Sequence, residues 1–184
     1  MFNLATKITL IRIFIVPIVV ALLYFEGPIV CLFATSAFII AAFTDWIDGY
    51  IARRDNMVTS MGKFLDPLAD KVLICSVLIM LVHLGWIPAW IAIIIVSREL
   101  IVTGLRAIAI DEGVVLAADK FGKLKTVLQI LALIPLMLHY EWGSFDPNFI
   151  GTIFLYLAMF LAVISGANYC YDFYKFTTNK HSCA

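Results

Sequence analysis

Long apolar runs separated by short polar segments dominate this sequence. Each run is long enough, as an α-helix, to cross the roughly 30 Å hydrocarbon layer of a bilayer. Because little chain is left over, we predict one all-α integral membrane domain over residues 1–184, a single bundle of six transmembrane helices. The predicted spans cover about residues 8–24, 29–51, 64–84, 88–110, 124–139 and 149–171.

Basic residues fall on one side of these predicted spans. If the N-terminus is cytoplasmic, the loops on the opposite side, residues 26–28, 85–87 and 140–148, contain no Lys or Arg. Cytoplasmic loops are the ones enriched in Lys and Arg, so the pattern predicts that both termini are cytoplasmic. The basic residues on that side are Lys7, Arg53, Arg54, Lys63, Lys120, Lys123, Lys125, Lys175 and Lys180.

Composition agrees with a membrane protein and argues against a soluble domain. The chain is 63% hydrophobic and 14% charged, with a mean hydropathy of +1.00. The formal net charge is zero, and we expect no nucleic-acid partner. Cys31, Cys75, Cys170 and Cys183 show no paired spacing, so neither a disulfide framework nor a zinc site is indicated. Residues 177–184 are polar, and we expect a mobile tail there.

Four aspartates interrupt the apolar pattern near the second cytoplasmic turn. Asp45 and Asp48 are three residues apart, and Asp66 and Asp70 are four apart, so each pair shares one helix face. A carboxylate facing lipid at mid-bilayer costs about 2.5–3.5 kcal/mol, so these groups require partners. Carboxylate oxygens suit Mg²⁺ or Mn²⁺, and two divalent cations would offset the repulsion among four acids. Paired metals of this kind are typical of phosphoryl transfer.

Small residues and an arginine lie among the aspartates. Gly49, Ala52 and Gly62 leave the backbone open to close approach by a nucleotide or diphosphate. Arg53 can bind a phosphate through two parallel hydrogen bonds. Taken alone, Asp48 and Gly49 could form a turn, and Arg53 could serve only to orient the chain. The joint spacing of all eight residues favours the functional interpretation.

The spacing of these eight residues resembles the full signature of the CDP-alcohol phosphatidyltransferases, with no fixed position missing. The signature reads Asp45-x2-Asp48-Gly49-x2-Ala52-Arg53-x8-Gly62-x3-Asp66-x3-Asp70. The resemblance implies a reaction in which the hydroxyl of an alcohol displaces CMP from a CDP-linked lipid. It also implies two divalent cations, Mg²⁺ or Mn²⁺, and a homodimer.

The resemblance assigns roles to the signature residues in two groups. The implied metal ligands are Asp45, Asp48, Asp66 and Asp70. Asp70 would also act as the general base on the attacking hydroxyl. The residues implied to make room for, or contact, the CDP group are Gly49, Ala52, Arg53 and Gly62.

The predicted fourth and fifth helices carry basic residues that indicate the second substrate. Residues 97–106, 122–126 and 6–12 resemble the corresponding segments of the bacterial phosphatidylglycerophosphate synthases. A cationic pocket there suits a phosphorylated acceptor better than neutral serine or inositol. We therefore predict CDP-diacylglycerol and glycerol 3-phosphate as substrates, with an active site facing the cytoplasm from the bacterial inner membrane. The predicted acceptor-phosphate residues are Arg98, Arg106, Lys123 and Lys125.

Other interpretations stay open at this point. Arg98 could pair with Glu99 inside the bundle, while Lys123 and Lys125 bind anionic lipid headgroups. The same fold could use phosphatidylglycerol as acceptor, as a cardiolipin synthase does, or inositol phosphate. Intramembrane carboxylates also line cation and proton transporters, but the sequence shows no inverted repeat of the kind typical of transporters.

Overall fold

Six α-helices run through the described part of the chain in this computed structural model. The structure describes residues 4–25, 27–54, 60–111, 120–140 and 146–182, with side chains for residues 13–25, 27–44, 71–109, 124–140 and 146–175. No β-strand occurs within those ranges. The helices are α1 (Leu4–Tyr24), α2 (Pro28–Arg54), α3 (Ser60–His83), α4 (Ala89–Asp111), α5 (Lys120–Leu138) and α6 (Pro147–Ser182).

Each of the six predicted apolar runs forms a helix, and the largest difference lies at the end of α6. We predicted its end near residue 171, but the helix continues to Ser182. No Pro or Gly follows Tyr171 in this segment, so nothing in the sequence stops the helix. Residues 177–182 are helical, while the expected mobility of the tail stays a prediction and residues 183 and 184 lie outside the described chain.

One helical segment is long and apolar enough to cross a membrane when only length and composition are considered. That segment is Pro147–Lys175 in α6. The described residues also contain four shorter apolar helical segments, Ile13–Tyr24, Pro28–Thr44, Lys71–His83 and Leu124–Leu138. The described part of the chain is thus helical without strands, and it contains one clear candidate for a membrane span.

An apolar core joins the helices. Helix α1 packs against α2 and α3, α5 packs against α2 and α6, and α4 packs against α3 and α6. The core includes one fully buried large side chain from each of five helices, Phe38, Leu81, Ile91, Leu133 and Leu155. Outward positions are apolar as well, for example Ile18, Ile93 and Phe160. Helices that are apolar on all sides are typical of a bundle with no aqueous face.

Aromatic pairs show which helix ends lie together. The ring of Tyr24, at the end of α1, stacks with that of His83, at the end of α3, with centroids 6.2 Å apart. Trp86, between α3 and α4, stacks on His139, just after α5, at 3.9 Å. We call the end of the bundle that carries these four rings the aromatic end. The opposite end, where α2 ends and α3 and α5 begin, we call the aspartate end. In membrane proteins, Trp and Tyr are enriched at the two membrane–water interfaces.

A glycine turn sets the connection that carries Trp86. Gly85 has a φ of 74°, a left-handed conformation that glycine adopts without steric cost. The backbone N–H of Trp86 donates to the Leu81 carbonyl at 2.9 Å, and that of Gly85 donates to the Val82 carbonyl at 3.0 Å. This Schellman pattern ends α3 and directs Trp86 toward His139.

Helices α5 and α6 meet at very short distance near the aromatic end. A Cβ atom placed on Gly151 would lie 2.7 Å from Leu136 Cγ and 3.0 Å from the Ala132 carbonyl oxygen. Small residues allow such close approach between helices in membrane proteins. This contact fixes the two helices that carry Lys125 and Tyr169 of the site described below.

Candidate active site

The aspartate motif lies at the aspartate end, in the last turns of α2 and the first turns of α3. Its side chains, at positions 45, 48, 49, 52, 53, 62, 66 and 70, lie outside the described side chains, so the metal and CDP sites stay predictions. The described residues contain no group of three or more His, Cys, Asp or Glu that could hold a metal ion. The four aspartates fit Mg²⁺ or Mn²⁺ by donor chemistry, because both ions prefer oxygen ligands.

Three charged side chains of α4 and α5 form what we call the ionic cluster: Arg98, Glu99 and Lys125. Lys125 Nζ and Arg98 Nη1 both contact the same carboxylate oxygen, Glu99 Oε1, the latter at 3.5 Å. The three side chains are 10%, 13% and 5% exposed, respectively. Charges buried to this degree require partners. Two basic side chains therefore share one carboxylate oxygen in this cluster.

Arg98 also joins α4 to α6. Its Nε donates to the Ala162 carbonyl oxygen at 3.0 Å, and its Nη2 donates to Ser165 Oγ at 2.7 Å. Gly166 leaves room for the side chain, since a Cβ there would lie 3.0 Å from Arg98 Cγ. The pairing of Arg98 with Glu99, which the sequence left open as an alternative, is present in the structure. Arg98 therefore has a structural role in the bundle.

Arg106 contacts α6 through a tyrosine. Its Nε donates to the Tyr169 hydroxyl at 3.3 Å, and its Cζ lies 5.6 Å from the centroid of the same ring. Tyr169 is 5% exposed, whereas Arg106 is exposed. The tyrosine thus holds the guanidinium by a hydrogen bond and a cation–π contact while leaving part of it accessible.

The order of contacts shows that α4 and α6 run parallel. The pairs, taken along both helices, are Trp90 with Tyr156, Arg98 with Ser165, and Arg106 with Tyr169. Both helices therefore leave the aromatic end together, and Arg106 lies nearer the aspartate end than Arg98 does. Lys125, near the start of α5, lies in the same half of the bundle as Arg106.

The structure brings together some of the predicted acceptor residues. Arg98 and Lys125 meet at Glu99, whereas Arg106 lies about two helical turns farther along α4. The side chain of Lys123 lies outside the described residues. These contacts do not test whether the four basic residues bind an acceptor phosphate, so that role stays a prediction.

Sequence reasoning missed two α6 side chains that hold the arginines. Ser165 and Tyr169 are both buried, and they lie four residues apart on one face of the helix. Two polar groups at that spacing in an apolar helix were a detectable signal. The sequence alone did not show which helix they face.

A third missed residue is Gln129, one turn beyond Lys125 in α5. It is 2% exposed, and its Nε2 has no hydrogen-bond partner among the described residues. An unpaired buried donor costs about 1–3 kcal/mol. The polar groups Lys125 and Gln129 therefore share one buried face of α5, four residues apart.

The chain shows similarity to known proteins along most of its length. The sequence profile of the CDP-alcohol phosphatidyltransferase family matches residues 2–164. The chain is 45% identical over 184 aligned positions to the CDP-diacylglycerol–glycerol-3-phosphate 3-phosphatidyltransferase of Bacillus subtilis, covering 92% of this chain and 94% of that protein. Identity is 37% over 168 positions to the Rickettsia typhi protein of the same name, with 91% and 94% covered. It is 39% over 180 positions to that of Blochmanniella floridana, with 93% and 90% covered. The chain therefore belongs to the CDP-alcohol phosphatidyltransferase family.

Proposed function

We propose that this protein is the enzyme that transfers the phosphatidyl group from CDP-diacylglycerol to glycerol 3-phosphate, giving phosphatidylglycerophosphate and CMP. The relatives named for this transfer are similar over nine tenths of the chain. The structural observation that supports the choice of acceptor is the pair of basic side chains, Arg98 and Lys125, that share one carboxylate in the buried ionic cluster. Such a cluster favours an anionic acceptor over neutral serine or inositol.

The aspartates supply the chemistry of the transfer. The acceptor hydroxyl oxygen bonds to the phosphorus of the phosphatidyl group, and the bond from that phosphorus to the CMP oxygen breaks. Asp70 accepts the proton of the hydroxyl, since an alcohol is a weak nucleophile at neutral pH without a base. Asp45, Asp48, Asp66 and Asp70 hold two Mg²⁺ or Mn²⁺ ions. When bound, these ions stabilise negative charge on the phosphates.

The remaining residues bind the two substrates. Gly49, Ala52 and Gly62 leave room for the CDP group, and Arg53 contacts its diphosphate. The residues assigned to the acceptor phosphate are Arg98, Arg106, Lys123 and Lys125. A guanidinium has five N–H donors, and Arg98 uses three of them in contacts with described residues. We propose that the other two bind the acceptor phosphate.

The six helices serve as six membrane spans, with both termini and the active site on the cytoplasmic side of the bacterial inner membrane. The distribution of Lys and Arg supports this orientation. The aromatic end, with Trp86, Trp90 and Tyr156, suits the opposite interface. The acyl chains of the donor then stay in the bilayer while the acceptor arrives from water. We also propose that the protein acts as a homodimer.

The proposed function is tested with purified protein in detergent and CDP-diacylglycerol as donor. Glycerol 3-phosphate, phosphatidylglycerol, inositol phosphate and serine are offered separately, with Mg²⁺, with Mn²⁺ or with a chelator. We expect CMP release only with glycerol 3-phosphate and a divalent cation. Release with phosphatidylglycerol alone would identify a cardiolipin synthase instead, and release in chelator would exclude the metal-dependent mechanism.

The same assay compares one test variant with one matched control. Asp70→Asn removes the proposed base and is expected to abolish CMP release. Asp172→Asn removes a carboxylate from an exposed position of α6, and it is expected to leave release unchanged. Equal activity of the two variants would contradict the role of Asp70.

A further inference from the structure

We propose that Glu99 is a positioning residue for the acceptor phosphate, which acts by holding Lys125 and Arg98 in place. This inference rests on the proposed function. Glu99 belongs to none of the metal, CDP or acceptor groups assigned above. It nevertheless contacts two of the four proposed acceptor residues through one carboxylate oxygen.

The first step in the argument is the burial of Lys125. Its side chain is 5% exposed, and its ammonium contacts Glu99 Oε1. No other polar partner of this ammonium occurs among the described residues. A buried cation that loses its counter-ion is strongly destabilised, and Glu99 is the counter-ion of Lys125 among the described residues, so without Glu99 the ammonium would leave its present position. The carboxylate therefore determines where this charge lies.

The second step concerns the donors that Glu99 leaves unused. A lysine ammonium has three donors and a guanidinium has five. Among the described residues, Lys125 makes one such contact and Arg98 makes three, which leaves two donors of each side chain without a described partner. A phosphate accepts several such charge-assisted hydrogen bonds. Glu99 thus aligns two cations and leaves four of their donors for an anion.

The third step is the anchoring of Glu99 itself. Its side chain links α4 to α5 through Lys125, and the neighbouring Arg98 links α4 to α6 through Ser165 and the Ala162 carbonyl. The backbone carbonyl of Glu99 also accepts a hydrogen bond from Thr103 Oγ1 at 2.6 Å. Glu99 is thus connected to α5 directly and to α6 through Arg98, so it is well placed to hold the two cations in the position that binds the acceptor.

The test measures kcat and both KM values for Glu99→Gln, alone and combined with Lys125→Met. Alone, we expect the KM for glycerol 3-phosphate to rise on the order of tenfold, with kcat and the KM for CDP-diacylglycerol changed less than about twofold. In the Lys125→Met background, Glu99→Gln should raise the KM for glycerol 3-phosphate by a smaller factor than it does alone, because only the contact of Glu99 with Arg98 is left. Asp172→Asn, at an exposed position, is the matched control for loss of a carboxylate.

Two results would overturn the inference. One is an unchanged or lower KM for glycerol 3-phosphate in Glu99→Gln, and the other is an equal increase with and without Lys125. If Glu99→Gln does not fold, Glu99→Asp keeps the charge on a shorter side chain, and its KM should still rise selectively for glycerol 3-phosphate. A wild-type protein that releases no CMP with glycerol 3-phosphate would instead refute the proposed function.

Discussion

Arg98 of α4 donates a hydrogen bond from Nη2 to the hydroxyl oxygen of Ser165 in α6, at 2.7 Å. Ser165 is 1% exposed, so this bond lies inside the bundle. Substitution of Arg98 would therefore change helix packing together with any effect on substrate binding. Arg106, which is exposed, is a better position for testing acceptor recognition alone.

Ser165→Ala is expected to lower the free energy of unfolding by about 1.5–3 kcal/mol, because Arg98 Nη2 loses its acceptor and hydrogen bonds to charged groups are strong. Thermal unfolding in detergent measures this effect. Ser36→Ala is the matched control, since Ser36 is exposed and bonds to the Leu32 carbonyl of its own helix at 2.8 Å. An equal decrease in the free energy of unfolding of the two variants would show that the hydrogen bond from Arg98 to Ser165 does not stabilise the protein.

Gly151→Ala is expected to destabilise the protein by about 1–3 kcal/mol, because the added methyl would overlap Leu136 and approach backbone atoms of α5. Gly104→Ala is the control within a helix. A Cβ at Gly104 meets no atom within 4 Å, and alanine favours helix over glycine by about 1 kcal/mol, so stability should be equal or higher. Unfolding midpoints compare the two, and an unchanged Gly151→Ala protein would contradict close packing of α5 on α6.

Gln129→Met is expected to raise the free energy of unfolding by about 1 kcal/mol. The substitution keeps the length of the side chain and removes an amide donor that is buried without a described partner. Gln129→Glu, which buries a charge at the same site, should be strongly destabilised. A loss of stability in Gln129→Met would show that the amide has a partner in the native protein.

Arg106→Ala is expected to raise the KM for glycerol 3-phosphate on the order of tenfold, since contacts to a charged group contribute about 1.5–3 kcal/mol. The KM for CDP-diacylglycerol should change less. Tyr169→Phe keeps the ring beneath the guanidinium and removes only the hydroxyl that accepts from Nε. Its effect on the acceptor KM should therefore be smaller than that of Arg106→Ala. Equal increases in KM for both substrates would argue against an acceptor role for Arg106.

The helices and the aspartate motif could be predicted because both depend on the spacing of residues that are close together in the sequence. Apolar runs of sufficient length predict helices directly, and the fixed intervals from Asp45 to Asp70 resemble one family signature, whose membership the similarity to known proteins confirms. The predicted sixth span ends near Tyr171 because the apolar run ends there, whereas α6 extends beyond that run to Ser182. In the absence of Pro or Gly, the helix continues.

The partners of the basic residues could not be predicted, because they depend on how distant helices face one another. Arg98 contacts residues 64 and 67 positions away, and no local spacing encodes that pairing. The sequence did raise the Arg98–Glu99 contact as an alternative, since neighbours can be considered without knowledge of packing. Lys125 meets Glu99 across 26 positions, which only the fold reveals.

The stack of Trp86 on His139 has an optical consequence. The ring centroids lie 3.9 Å apart and the ring planes are nearly parallel, at 4°, so contact with the imidazole sets the surroundings of this indole. Of the four tryptophans in the chain, Trp86 therefore reports on whether the α3–α4 connection lies against the end of α5. Its emission gives a probe of folding at the aromatic end that requires no substrate, no metal and no label.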